Sequence, residues 1–401
     1  MPDDAHIVAS NKIEGEHAGT RWLALTAAIA SISVVGIAIG LGMPLLSIIL
    51  ENRGHSASMI GLNTAVAGLA SIAGAPMATP LAMRFGTVWT MVAMIIVGAL
   101  AFMGFYFATA FWMWFPLRVA LHIALTILFI LSEFWISSSA PPHRRGFVLG
   151  IYATVLSLGF AAGPWLFSQI GSSGFAPFGT VFVLVMVAVI PVAAAWRESP
   201  VLHPSGDEGG HFLRYIWLVP TATAAVLVFG AVETGGFALF PVYGSRSGYS
   251  EGDAALLLTM IGLGNVLLQI PIGMLSDRIG DRRYLLLVCA IVGLMGMLLL
   301  PSIAHNWHLL AAVLFVWGGV VAALYTIGLA HLGSRLSGHE LANANAAFVL
   351  CYGLGMVIGP QAIGLGMDMF GKEGFAWALA SMFVFYIVVA CWRIFGRARS
   401  S

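Results

Sequence analysis

Three ionisable side chains interrupt long apolar runs: Arg118, Glu133 and Glu233. Charges inside such runs are costly to keep and point to function first. A guanidinium can hold an anionic group, and a carboxyl can exchange a proton for another partner. On a helix turning about 100° per residue, Arg118, His122, Thr126 and Glu133 fall within about 80° of one another. That polar stripe should face a cavity or a partner helix. Arg118 reads as the holder of an anionic group, with an internal pair or carbonyl clamp as the alternative. Glu133 lies about 22 Å further along at about 1.5 Å per residue. There a brace to Arg84, Arg144 or Arg145 is expected, with direct solute contact as the alternative. His122 is either a titrating group or a neutral, hydrogen-bonded ring. Glu233 stands just ahead of Gly235-Gly236, a pair that can loosen a helix and open carbonyls to a cavity. Its carboxyl can alternate between a proton and a bound solute, or rest neutral against a neighbouring helix. Asn63, Asn265, Gln269, Trp317 and Tyr325 are weaker candidates for a cavity wall, because such residues also join helices.

Composition narrows the classes. Charged residues are 9% of 401, and apolar ones 60%, against about 25% charged in a soluble domain. Lipid must be the solvent. A net charge of +1 argues against nucleic acid as a partner. Cys289, Cys351 and Cys391 are too scattered for a metal knot or a disulfide framework. The 18 methionines recur without a shared face and read as packing. No G-x-x-x-x-G-K-[ST] occurs, so ATP hydrolysis is not expected. No convergent nucleophile and base set is visible, so no enzyme, metal or cofactor is expected. Asp368, near Gly371-Lys372, reads as a surface cap.

The positioning elements follow from hydropathy. A crossing helix needs about 20 mostly apolar residues. Twelve are expected, at 22–50, 57–79, 88–108, 111–137, 147–171, 176–196, 213–243, 252–275, 284–302, 307–330, 341–366 and 374–395. Fourteen of the 18 Lys and Arg fall in alternate connections and tails, among them Lys12, Arg21, Arg197, Arg214, Arg335, Arg393, Arg397 and Arg399. Arg53, Arg246 and Lys372 fall in the other set. This bias predicts both termini in the cytoplasm. The Pro- and Gly-rich break at 197–212 predicts a cytoplasmic linker between an N-terminal bundle, 1–196, and a C-terminal one, 213–401. An offset of 194 lays Gly42, Gly54, Ser56, Arg84 and Gly86 on Gly236, Gly248, Ser250, Arg278 and Gly280. An offset of 196 lays Gly159, Gly163 and Pro164 on Gly355, Gly359 and Pro360. Parallel six-helix repeats predict a site between the halves near the midplane.

Gly273-Met274-Leu275-Ser276-Asp277-Arg278-Ile279-Gly280-Asp281-Arg282-Arg283 resembles the G-x-x-x-D-R-x-G-R-R loop of the major facilitator superfamily (MFS). The resemblance implies an all-α membrane protein of twelve transmembrane helices in two pseudo-symmetric bundles. It also implies a cytoplasmic gate that Asp277 and the arginine cluster latch in one state. The equivalent first-half loop keeps Arg84 and Gly86 but has Met83 where the family has Asp. Arg118 resembles the buried arginine of the family's fourth span, though the glycine that usually follows is absent. Gly159-x-x-x-Gly163-Pro164 resembles the fifth-span motif common in proton antiporters. Its recurrence at Gly355 to Pro360 leaves inherited architecture open. Glu133-Phe134-Trp135, Arg145-Gly146 and Tyr152 look like a bacterial MFS branch.

The expected function is alternating-access transport of a small organic solute, by proton-coupled export. Proton-coupled uptake is the alternative, and a non-transporting membrane sensor the remote one. Partners are then the solute, protons and the lipid bilayer, with the chain a monomer in a bacterial inner membrane.

Overall fold

A computed structural model describes residues 22–140, 144–200, 213–336 and 338–395. Lys12, Arg21, linker positions 201–212, Arg397 and Arg399 lie outside it, as does the side chain of Arg145.

Lipid offers no hydrogen-bond partners, so a spanning backbone must satisfy itself, as a helix does. The spans are α1 (Trp22–Asn52), α2 (Ala57–Phe85), α3 (Thr87–Phe107), α4 (Phe111–Ser139), α5 (Arg145–Ile170) and α6 (Ala176–Ala194). After the linker come α7 (Pro220–Arg246), α8 (Glu251–Arg278), α9 (Arg282–Ile303), α10 (Trp307–Gly333), α11 (Gly338–Phe370) and α12 (Gly374–Phe395). Twelve spans return the chain to the face where it started. We call this the terminal face, and the opposite one the distal face.

Prolines account for the departures from the expected ranges. The seventh span was expected from 213, but Pro220 splits off a short helix, Arg214–Leu218. Val219 takes φ −123 and ψ 53, since a residue before proline is pushed out of the helical region. Span six breaks at Ala188, three residues ahead of Pro191. A 3-10 turn, Ala75–Met77, carries Pro76 within α2.

The repeat survives at atomic detail. Gly54 and Gly248 turn the chain at φ 81 and φ 91, and a side chain at either would be strained. Ser56 and Ser250 then cap α2 and α8, accepting from the Met59 and Asp253 amides. Both pairs keep the offset of 194.

Small residues set the helix spacing. A Cβ on Gly159 would come 2.7 Å from the Gly36 Cα, and one on Gly163 would strike Gly40. Gly355 and Gly359 meet Leu227 and Ala231 in the same way. The G-x-x-x-G-P segments thus press α5 onto α1 and α11 onto α7, the close approach small residues allow. Between the halves, α2 lies against α11 and α5 against α8. A Cβ on Gly68 would come 2.9 Å from the Val357 amide, and one on Gly262 would come 2.8 Å from the Ala161 Cα.

Polar links hold the halves together at the distal face. Arg246 of α7 donates to both Glu51 oxygens of α1, at 2.8 and 3.1 Å. Asn52 donates to Glu251 at 3.0 Å. Asp368 of α11 accepts from the Ala57 and Ser58 amides, at 3.0 and 2.9 Å. It is therefore the cap of another helix, α2, across the interface. A carboxylate suits that position, where the helix dipole is positive.

Candidate functional site

A cavity lies near mid-depth. It sits inside the C-terminal bundle, between α7, α8, α9, α10 and α12, and only Phe160 of α5 reaches it from the other half. The sequence placed the site between the halves; the lining of this cavity comes from the C-terminal half apart from Phe160.

Glu233 stands on its wall, thirteen residues from each end of α7. Tyr352 of α11 donates to Glu233 Oε2 at 2.6 Å. Close packing explains the meeting. Tyr352, Gly355 and Gly359 share one face of α11, and Gly230 lies against the Tyr352 backbone. Asn265 of α8 also lines the cavity. Gln269 donates to its oxygen at 2.7 Å and accepts from Thr326 at 3.2 Å. That chain ties α8 to α10 and leaves the Asn265 amine free toward the cavity. Trp317 presents its ring there, while its indole N–H is taken by the Gly293 carbonyl at 3.0 Å. Tyr325 packs beside the cavity, its ring 6.0 Å from Tyr352 and 5.7 Å from Phe229.

Arg118 and its neighbours form a separate cluster. Arg118 is 1% exposed, and its Nε and Nη2 both donate to Asn63 Oδ1, at 3.1 and 2.9 Å. Its guanidinium lies 5.7 Å from the Phe105 ring centroid, a favourable cation–π arrangement. No carboxylate among the described residues pairs with it. His122 places Nδ1 3.1 Å from the Arg118 carbonyl. Asn63 Nδ2 and His122 Nε2 are buried without a partner. None of the three lines the cavity. Arg118 and Asn63 form an internal pair that lies apart from this cavity.

Glu133 is exposed near the terminal end of α4. It makes no ion pair with Arg84 or Arg144, so the expected brace to those residues is absent here. It lies within electrostatic reach of Tyr152 on α5 and of Tyr325 across the interface. Tyr152 shares a hydrogen bond of 2.8 Å with Ser132. Thus the polar stripe runs from the buried Arg118 to Glu133 near the helix end.

In the α8–α9 loop, Arg282 donates to Asp277 at 3.1 Å and to Ser276 at 3.2 Å. Asp277 remains 77% exposed, and among the described residues Arg282 is its ion-pair partner. Arg283 grips Asp281, with a closest approach of 2.6 Å. That hydrogen bond holds the Asp281 carboxyl below the usual carboxylate range. Asp281 is an insertion within the family pattern, and it takes one of the two arginines that Asp277 would otherwise share.

Reasoning from sequence missed Tyr352, the ring-lined wall and the Glu51–Arg246 link. Tyr352 had a legible signal, since it lies three and seven residues before two packing glycines. Glu51 and Arg246 had a weaker one, as two of the few charges at distal helix ends.

Known proteins share this architecture. The sequence profile of the Major Facilitator Superfamily matches residues 28–262 and 247–401. The uncharacterised MFS-type transporter YfkF of Bacillus subtilis (strain 168) is 29% identical over 345 residues, covering 84% of this chain and 87% of that one. YcaD of Salmonella paratyphi B, also an MFS-type transporter, is 22% identical and covers 70% of this chain and 72% of that one. Among solved structures, the nucleoside transporter NupG superposes with a TM-score of 0.75 at 13% identity, over 93% of this chain and 97% of that one. A bacterial homologue of the lysosomal transporter Spinster, inward-facing and unoccupied, gives 0.71 at 17%, over 93% and 95%. These low identities speak to fold alone. The sequence profile, spanning nearly the whole chain, joins a twelve-helix membrane architecture, and the chain belongs to the Major Facilitator Superfamily of transporters.

Proposed function

We propose that this chain exports a small organic solute in exchange for protons, with Glu233 as the coupling carboxyl. The observation that carries the reading is a lone carboxyl on the wall of a mid-depth cavity, held by one phenol. An unpaired charge at such a site costs several kcal/mol. Glu233 is therefore served by a proton or by a solute, in turn. The two bundles, 1–196 and 213–401, rock about this site, and the terminal face is the cytoplasmic one of a bacterial inner membrane. The chain acts as a monomer. The distal links close the outer side, and Asp277 is released from the other half while the inner side is open. Arg118 with Asn63 acts as an internal clamp that keeps α2 and α4 together.

The test compares medium and extracts of cells carrying the intact chain, Glu233→Gln, or an empty vector. A solute enriched outside only with the intact chain supports export. Depletion from the medium with accumulation inside supports uptake, a reading favoured by the G-x-x-x-G-P segments serving as packing in both halves. Uphill movement by Glu233→Gln equal to that of the intact chain overturns the coupling assignment.

A further inference from the structure

The cavity wall has a composition that selects by charge. Six rings face it: Phe160, Phe229, Phe237, Phe240, Trp317 and Phe375. Only Glu233 and Asn265 bring free polar groups, because the Trp317 indole N–H is already bonded to Gly293. Glu233 is the one carboxyl of the lining, and one of its oxygens accepts from Tyr352. The Asn265 oxygen accepts from Gln269. No Lys or Arg lines the cavity, and Arg118 is sealed into the other bundle.

An anion entering this space meets aromatic rings and a carboxyl, with no Lys or Arg in the lining to hold it. A cation seated over the face of a lining ring gains about 0.5–2 kcal/mol, and one carboxylate neutralises it. A second positive charge would find no partner. Two other titratable groups lie beside Glu233, Tyr352 on α11 and Tyr325 on α10, and Glu133 of α4, which is not part of the lining, reaches Tyr325 from the other half. Both tyrosines are phenols that stay neutral through the cycle, so the cavity holds one exchangeable charge.

We propose that the α7–α10 cavity takes an organic monocation with an apolar body, and that Glu233 exchanges it one for one with a proton, so the cycle moves no net charge. This deepens the proton-exchange reading and rests on it. The proton leaves Glu233 as the cation arrives, and returns as the cation departs.

The experiment uses the purified full chain in liposomes, with ethidium as the monocation probe. Neutral phenanthridine, the dication propidium and 2-naphthalenesulfonate serve as comparators. An imposed pH gradient should drive ethidium accumulation, and Glu233→Gln should abolish it. A potassium diffusion potential of about 59 mV should leave the accumulation unchanged, whereas one net charge per cycle would alter it about tenfold. Phe237→Leu should weaken ethidium binding by about two- to thirtyfold, measured by fluorescence polarisation on protein that elutes as a single species. Tenfold sensitivity to potential overturns the one-for-one exchange and leaves proton coupling standing. Binding of phenanthridine, propidium or naphthalenesulfonate in preference to ethidium, or no ethidium binding, overturns the monocation class alone. Uphill ethidium transport by Glu233→Gln overturns both readings.

Discussion

Weakening the distal links should open the distal face. Arg246 grips both oxygens of Glu51, and their side chains are 28% and 17% exposed. Exposed pairs contribute up to about 1 kcal/mol after screening, and the two-pronged geometry places this one at the upper end. Glu51→Gln keeps the shape and removes the charge, so it should raise the distal-open to distal-closed ratio about fivefold. Asp368→Asn weakens the cap on α2, for about 1 kcal/mol more. If the two act independently, the double variant shifts the ratio by about 2 kcal/mol, or roughly thirtyfold. Electron–electron distance measurements between spin labels at Ser173 and His305 read it, both being exposed in distal loops of opposite halves. Glu51→Arg combined with Arg246→Glu should restore the starting distribution. An unchanged distribution in the double variant would refute the idea that these links hold the face shut. Failure of the swapped pair to restore it would assign the effect to packing.

Other consequences are separate tests. Tyr352→Phe removes the donor to Glu233 and should slow proton-driven transport by about ten- to a hundredfold, from the roughly 1.5–3 kcal/mol of a bond to a charged group, measured on protein that elutes as a single species. Asn63→Leu leaves the sealed Arg118 guanidinium without its acceptor and should destabilise the N-terminal bundle by about 3–5 kcal/mol, seen as a lowered melting temperature. Gly163→Val and Gly359→Val should each abolish well-folded protein, because both strike a neighbouring backbone, and size-exclusion profiles in detergent report this. Arg282→Ala removes a solvent-exposed link to Asp277 and should change stability by less than about 1 kcal/mol, read from the melting temperature.

Much of the architecture was legible in one dimension. Hydropathy counts spans because lipid forces each crossing to be a long apolar helix. The two-bundle division and the matching turns at Gly54 and Gly248 followed from spacing alone, since turn geometry is local. The sequence also marked Arg118, Glu133 and Glu233 as costly, because an ionisable group in an apolar run is visible without neighbours. Only the tertiary structure decided what each of them meets. Arg118 finds Asn63, 55 residues away, and Glu233 finds Tyr352, 119 residues away. Those meetings depend on how each helix is rotated and how closely it lies on the next. Backbone-to-backbone contacts at Gly159, Gly163, Gly355 and Gly359 set both quantities. A residue's own helix fixes which side chains share its face, whereas packing against other helices chooses whether that face sees a cavity, a partner or water.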